Sequence, residues 1–258
     1  MTTQYDSITL KYNAFRNMPG ALFEKHTVEK TLRPLIKGAK VLDLGCGSGH
    51  YSNLLISWGA AQVVGVDISP GMISNARARS ESDRVTFLVG DCSQPLSIPG
   101  GPFDIVFEGW LLNYAPDRAS LTNMYRNIAT NLKDGGRFFG LKPYPTEDPR
   151  GQLELMQKYK PQSYEYVSLK YVGDVEDGVA FLACAERPAK FEFKAYWLRE
   201  SVYKEAAQQG GLTGEWKWEH PTLPEDDREI LGEAADMDGD RAKLERVGRF
   251  ALVRIDKD

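Results

Sequence analysis

The stretch "KVLDLGCGSGHYS", residues 40–52, decides how this chain is read. An apolar run from Val41 to Leu44 carries one acid, Asp43. Glycines then fall at every second position, at Gly45, Gly47 and Gly49. A strand, a glycine-rich turn and a helix start together make a ligand-binding device. Glycine permits positive φ and removes the Cβ that would hold a ligand off the backbone. The helix N-terminus then offers unpaired N–H groups. A P-loop needs Lys followed by Ser or Thr after its last glycine, whereas His50 and Tyr51 stand there. A dinucleotide fingerprint reads G-x-G-x-x-G. This turn reads G-x-G-x-G, one residue short, and an acid at the strand end repels a pyrophosphate. The spacing therefore disfavours an NAD-dependent reductase. Asp43 suits a ligand that carries a cation, or a network that orients one.

Outward from this turn, strands and helices alternate. "AQVVGVD" is a second strand, and "SPGMISNARARSES" a helix with Ser69 as N-cap and Pro70 as its first residue. "RVTFLVGD" and "GPFDIVFEGW" are strands. "DRASLTNMYRNIATNL" is a helix capped near Asp117, with Leu121, Met124, Tyr125, Ile128 and Leu132 at helical spacing. "GGRFFGLKP" closes the series as a fifth strand. Such alternation predicts βαβ units and a parallel sheet. Before this core, residues 5–35 read as one or two helices ended by Pro34. After it, "SYEYVSLKYV", "GVAFLACAE" and "KFEFKAYW" read as antiparallel strands, "RESVYKEAAQQGG" as a helix, and "GEWKWEHP" and "GRFALVRI" as the last sheet strands. The expected fold is α/β: a doubly wound, Rossmann-like, mostly parallel sheet. It carries an antiparallel C-terminal strand, an N-terminal helical lid and a small antiparallel β insertion. The chain is expected to be one domain, with a lid over 1–38, a ligand-binding core over 39–142, and a cap with the last sheet strands over 143–258.

Ligands on such sheets bind beyond the carboxyl ends of the strands, and four consecutive strands end in acids: Asp43, Asp67, Asp91 and Glu108. Asp67 is placed to accept both hydroxyls of a ribose. Asp91 can accept from an exocyclic amine, and the backbone N–H of Cys92 can donate to a ring nitrogen. That row suits an adenosine joined to a sulfonium and an ammonium.

"VLDLGCGSG", "VVGVDIS", "VGDCS" and "FDIVFEGWLLNYA", in this order, resemble the motifs of class I S-adenosylmethionine-dependent methyltransferases. The N-terminal "YDSITLKYN" resembles the Tyr-bearing lid helix of the small-molecule branch. The whole is most similar to the toxoflavin-type methyltransferases of microbial secondary metabolism. The resemblance implies S-adenosylmethionine as cofactor and S-adenosylhomocysteine as product. It implies that Gly45, Cys46 and Gly47 lie against the methionine part, with Asp43 ordering that corner. Asp67 would hold the ribose, while Ile68 and Met72 pack on the adenine and Asp91 and Cys92 read its edge. The backbone near Glu108 would meet the methionine ammonium, and Tyr12, with Tyr5, would close over the carboxylate. Asn113 and Tyr114 would stand near the reacting centre.

The 258 residues carry a formal charge of −4, which argues against nucleic acid as a partner. The three cysteines, Cys46, Cys92 and Cys184, show no C-x-x-C spacing and read as packing residues in a reducing cytoplasm. The N-terminal residues lack the pattern of a secretory signal, and no apolar run approaches a membrane span. "DMDGD", residues 236–240, lacks the glycine and glutamate positions of a calcium loop.

Methyl transfer requires positioning and exclusion of water, and a base only if the nucleophile starts protonated. His220, Glu108 and Tyr144 are the candidates for that role. Trp110, Asn113, Tyr114, Tyr144, Trp197 and Trp218 are candidates for lining a pocket for a small aromatic or heterocyclic substrate. No Asn-Pro-Pro-aromatic stretch follows the fourth strand, where "EGWLLN" stands instead. Metal-independent transfer by a monomer or homodimer is expected. Two other readings stay open: a cofactor-binding enzyme that does not methylate, such as a pericyclase or cyclase, and a noncatalytic cofactor-binding subunit.

Overall fold

The computed structural model describes residues 19–158, 167–185, 190–219 and 250–258. Five strands, β1 (Lys40–Leu44), β2 (Gln62–Asp67), β3 (Val85–Val89), β4 (Phe103–Gly109) and β5 (Leu132–Pro143), lie parallel in the spatial order 3-2-1-4-5. Three more, β6 (Val167–Val175), β7 (Gly178–Ala185) and β8 (Phe191–Leu198), form a separate antiparallel sheet. β9 (Gly214–Glu219) is the far edge of the main sheet. β10 (Phe250–Lys257) runs antiparallel between β5 and β9. This is the mostly parallel sheet with an antiparallel C-terminal strand that the alternation predicts.

The strands are apolar on both faces because helices cover both. On one face α1 (Pro19–Leu32) and α2 (His50–Ser57) pack over Val41, Val63, Ile105, Phe107, Phe139, Leu141 and Leu252. α3 (Pro70–Arg79) seats Ile73 and Ala76 against Phe87 and Cys46. On the other face α4 (Arg118–Asn131) and α6 (Glu200–Gln209) cover Leu42, Leu44, Val106, Phe138, Val253 and Ile255. Each such side chain contributes about 1.5–3 kcal/mol on burial.

The starts follow local chemistry. Ser69 Oγ accepts from Met72 N at 3.1 Å, with Pro70 next in sequence as predicted. Asp117 accepts from Ser120 N at 2.8 Å. One helix was not anticipated. α5 (Pro149–Lys158) turns Leu153 and Met156 against the small sheet and buries Pro149; their i, i+4, i+7 spacing was a helical signal that sequence reasoning missed. β3 ends at Val89, which leaves Asp91 in the following turn rather than on the strand. Among the described residues, no helix is long and apolar enough to cross a membrane.

Candidate cofactor and active site

The glycine turn is built as its spacing demands. Gly45, Gly47 and Gly49 take φ of 71°, 53° and 79°, the left-handed region that favours glycine. Gly49 caps α2 and has Phe87 Cζ only 2.8 Å from where its Cβ would stand. Among the described residues, nothing lies within 4 Å of such a Cβ at Gly47. Gly45 sits under Leu111, from the turn after β4.

Asp67 stands at the tip of β2 and ties two neighbours together. Its Oδ2 accepts from Gly47 N and its Oδ1 from Ser69 N, each at 2.9 Å. The carboxylate thus braces the glycine turn. Asp43 is buried and accepts from Ser52 Oγ at 2.6 Å. Met72 is buried and Ile68 half-buried. Asp91 Oδ1 accepts from Ser93 N (2.9 Å) and Ser93 Oγ (2.7 Å) in a tight turn. Cys46 and Cys92 are both buried. Burial raises both thiols, Cys46 well above its ordinary value and Cys92 to about 12, and nearby acids add to it.

Sequence reasoning missed the residues that shape the loop after Asp91. Asn127 Nδ2 donates to the carbonyls of Cys92 and Gln94, each at 2.7 Å, and its Oδ1 accepts from Leu96 N at 2.8 Å. One turn on, Asn131 donates to Leu96 O and accepts from Ile98 N. Two buried asparagines spaced i, i+4 on an apolar helix face were the available signal.

Glu108 is fully buried on the face covered by α4 and α6. Its Oε2 accepts from Leu111 N at 2.6 Å, closing the short 3-10 helix Leu112–Tyr114, while Oε1 finds no hydrogen bond. Burial pushes its carboxyl well up, opposed by the Leu111 and Leu112 amides and by Lys142. Gly140 on β5 is required beside it, because a Cβ there would collide with Oε1.

Two residues further along β5 is a residue the sequence did not flag. Lys142 is 1% exposed, and its Nζ lies 3.5 Å from the Tyr203 ring centroid and 4.7 Å from that of Trp218, without a hydrogen-bond partner among the described residues. Burial brings its ammonium down to about 7, against weaker support from Glu200 and Glu108. Trp218 thus faces this lysine.

Beyond the strand ends, Tyr114 and Tyr144 pack against the inner face of the small sheet beside Phe193, with the Tyr114 and Phe193 rings 6.2 Å apart. Asn113 is buried with its Oδ1 unpaired. Trp197 lies inside the small sheet's core and donates Nε1–H to Tyr144 O at 3.0 Å, which holds that backbone. Tyr5, Tyr12 and His220 lie outside the described residues.

Among the described residues nothing lies within 4 Å of a Cβ at Gly47, and Asp43 and Asp67 stand at the carboxyl-terminal parts of β1 and β2. That fits an adenosine with a cationic amino-acid tail and does not fit a pyrophosphate. Residues 41–136 match the family model described as "Methyltransferase domain". The ribosomal protein L11 methyltransferase of Burkholderia multivorans is 38% identical over 110 residues, which is 43% of this chain and 33% of that protein. The chain therefore spans about one third of the length of the curated relatives it matches. Among solved structures, the PH0226 protein from Pyrococcus horikoshii OT3 aligns with a TM-score of 0.62 at 24% identity, covering 92% of each chain. An S-adenosylmethionine dependent methyltransferase from Mesorhizobium loti aligns with a TM-score of 0.56 at 20% identity, covering 90% of this chain and 98% of that one. Both likenesses show the fold. Residues 41–136 thus match a methyltransferase domain, set in a fold shared with a solved S-adenosylmethionine dependent methyltransferase.

Proposed function

We propose that this chain transfers a methyl group to an N, O or S nucleophile of a small aromatic or heterocyclic metabolite, as the toxoflavin-type resemblance implies. One observation carries the reading. Tyr114, from the turn after β4, and Tyr144, just past the end of β5, cluster with Phe193 of the small sheet, which supports an aromatic pocket wall beside the strand ends. When bound, the cofactor supplies an electrophilic methyl on a sulfonium. Asp67 would hold its ribose, Gly45 and Gly47 its amino-acid part, Met72 and Ile68 its adenine face, and Asp91 with Cys92 the adenine edge. Tyr5 and Tyr12 would close the lid. Trp110, Asn113, Tyr114 and Tyr144 would orient the substrate and exclude water. His220, Glu108 and Tyr144 are the groups offered for moving a proton. The division into a lid over 1–38, a core over 39–142 and a cap over 143–258 belongs to this reading. So do a cytoplasmic location and a monomeric or homodimeric state without nucleic acid.

The L11 relative acts on a protein, but its likeness spans only 110 residues. It gives no support for a substrate. The test is calorimetric titration with S-adenosylmethionine, S-adenosylhomocysteine and NADH, followed by a screen of small nucleophiles read by S-adenosylhomocysteine release. Binding of the first two alone, with turnover of an aromatic nucleophile, is expected. Binding without turnover would favour the non-methylating enzyme or the noncatalytic subunit. Preference for NADH would overturn the reading.

A further inference from the structure

Trp110 is the one non-glycine residue with positive φ, 72°, among the described residues. It follows Gly109 at the end of β4, on the turn whose next residue, Leu111, lies against Gly45. A bulky residue resists the left-handed region and holds it only when its surroundings over-determine it. Here the surroundings converge on one carboxylate. Glu24, on α1, accepts from Trp110 Nε1 at 2.6 Å through Oε2 and from Tyr51 Oη at 2.7 Å through Oε1. Phe250 meets the Trp110 ring edge to face at 6.2 Å.

Tyr51 belongs to the first turn of α2, which leaves the glycine turn directly, and its ring lies against Gly109, where a Cβ would stand 3.2 Å away. Glu24 is 7% exposed and lies 86 residues from Trp110 and 27 from Tyr51 in sequence. It thus bonds at once to both turns that border the cofactor cleft. We propose that Glu24 is a positioning residue for cofactor binding: it locks Trp110 in its left-handed conformation and so fixes the turn after β4 against the glycine turn. The inference rests on the cofactor reading above and extends it to a residue of α1.

The test is a double-mutant cycle read by calorimetric titration with S-adenosylhomocysteine. Glu24→Ala is expected to weaken binding about tenfold, in line with loss of charge-assisted hydrogen bonds. Glu24→Gln, which keeps the shape and one acceptor, is expected to recover most of that loss. In the Trp110→Gly background, where glycine adopts positive φ freely, Glu24→Ala should cost less than about threefold. A merely structural anchor for α1 would give the same loss in both backgrounds, and that result overturns the proposal. So does unchanged affinity in folded Glu24→Gln and Glu24→Ala proteins. If Glu24→Ala does not fold, Glu24→Leu, which fills the space but accepts from neither ring, replaces it in the two backgrounds, with equal losses again overturning the proposal. Absence of binding by the wild type would overturn the cofactor reading itself, and Glu24's role with it.

Discussion

Replacing Lys142 by methionine is expected to stabilise this protein, most strongly below neutral pH. Nζ is buried among Tyr203, Trp216 and Trp218 and makes no hydrogen bond among the described residues. The rings offer a quadrupole but no lone pair, which replaces only part of the lost hydration. The titratable groups that face it are Glu108 on β4 and Glu200, Tyr203 and Lys204 on α6. Its ammonium titrates near 7 rather than 10.5. That difference corresponds to roughly 5 kcal/mol of disfavour for the charged form in the fold. Methionine keeps the stem's volume and its contact with the rings and removes the charge.

The pH dependence follows from the same shift. Below about 7 the amine is protonated in both folded and unfolded states, and the whole penalty is present. Between about 7 and 10.5 the unfolded chain binds the extra proton, so wild-type stability rises with pH through that window. Lys142→Met should therefore gain about 1–4 kcal/mol at pH 6. That advantage should shrink by about 2–3 kcal/mol by pH 9. Urea unfolding of both proteins at the two pH values measures it, read at equal m-values. Equal or lower stability of the variant at pH 6, or a difference that ignores pH, would mean the amine has a polar partner in the fold and would refute the reasoning.

Asp67→Ala should weaken S-adenosylhomocysteine binding by about 1–3 kcal/mol, because the Gly47 and Ser69 amides lose their acceptor along with the ribose; unchanged calorimetric affinity would remove the ribose assignment. Gly49→Ala and Gly47→Ala should separate folding from binding. The first meets Phe87 and is expected to cost about 2 kcal/mol or more of stability. The second meets open space, costs about 1 kcal/mol through its φ, and should reduce cofactor affinity instead. Asn127→Ala should destabilise the protein by about 1–3 kcal/mol by stranding the Cys92 and Gln94 carbonyls and the Leu96 amide; chemical denaturation checks it. Cys46 and Cys92 should react with iodoacetamide at pH 8 far more slowly in the folded protein than in urea, since burial holds both as thiols; equal rates would contradict their packing role.

What the sequence made legible was whatever depends on residues close together in the chain. The glycine turn, the caps at Ser69 and Asp117, and the strands with their order of appearance are local or periodic signals, and each matches an observed element. Asp67 could be placed at a strand end, and so at the cleft, for the same reason. What could not be read are pairings set by register between distant strands and helices. Lys142 looks like an ordinary lysine closing a strand. It becomes a buried amine only because β9 brings Trp216 and Trp218 in from one side and α6 brings Tyr203 from another. Glu108 is at the strand end as expected, but strand alternation put its carboxylate on the α4 and α6 face, where Gly140 makes room for it. Glu24 carries no local mark at all on a helix of weak amphipathic pattern.

These three charged groups share a logic. Each is buried where a parallel strand ends and the chain leaves for a loop that borders the cleft. Glu108 holds the loop after β4 from below, through the Leu111 amide, and Glu24 holds the same loop from above, through the Trp110 indole. Residues 109–112 are thus gripped by one carboxylate from each face of the sheet, the faces of α1 and of α4 and α6. An apolar grip could stabilise that loop more cheaply, but it would fix no hydrogen-bond direction. Directional bonds from both faces set where the Gly109 and Trp110 peptides point, and if, as proposed, this turn meets a ligand's ammonium, it needs that orientation more than it needs stability.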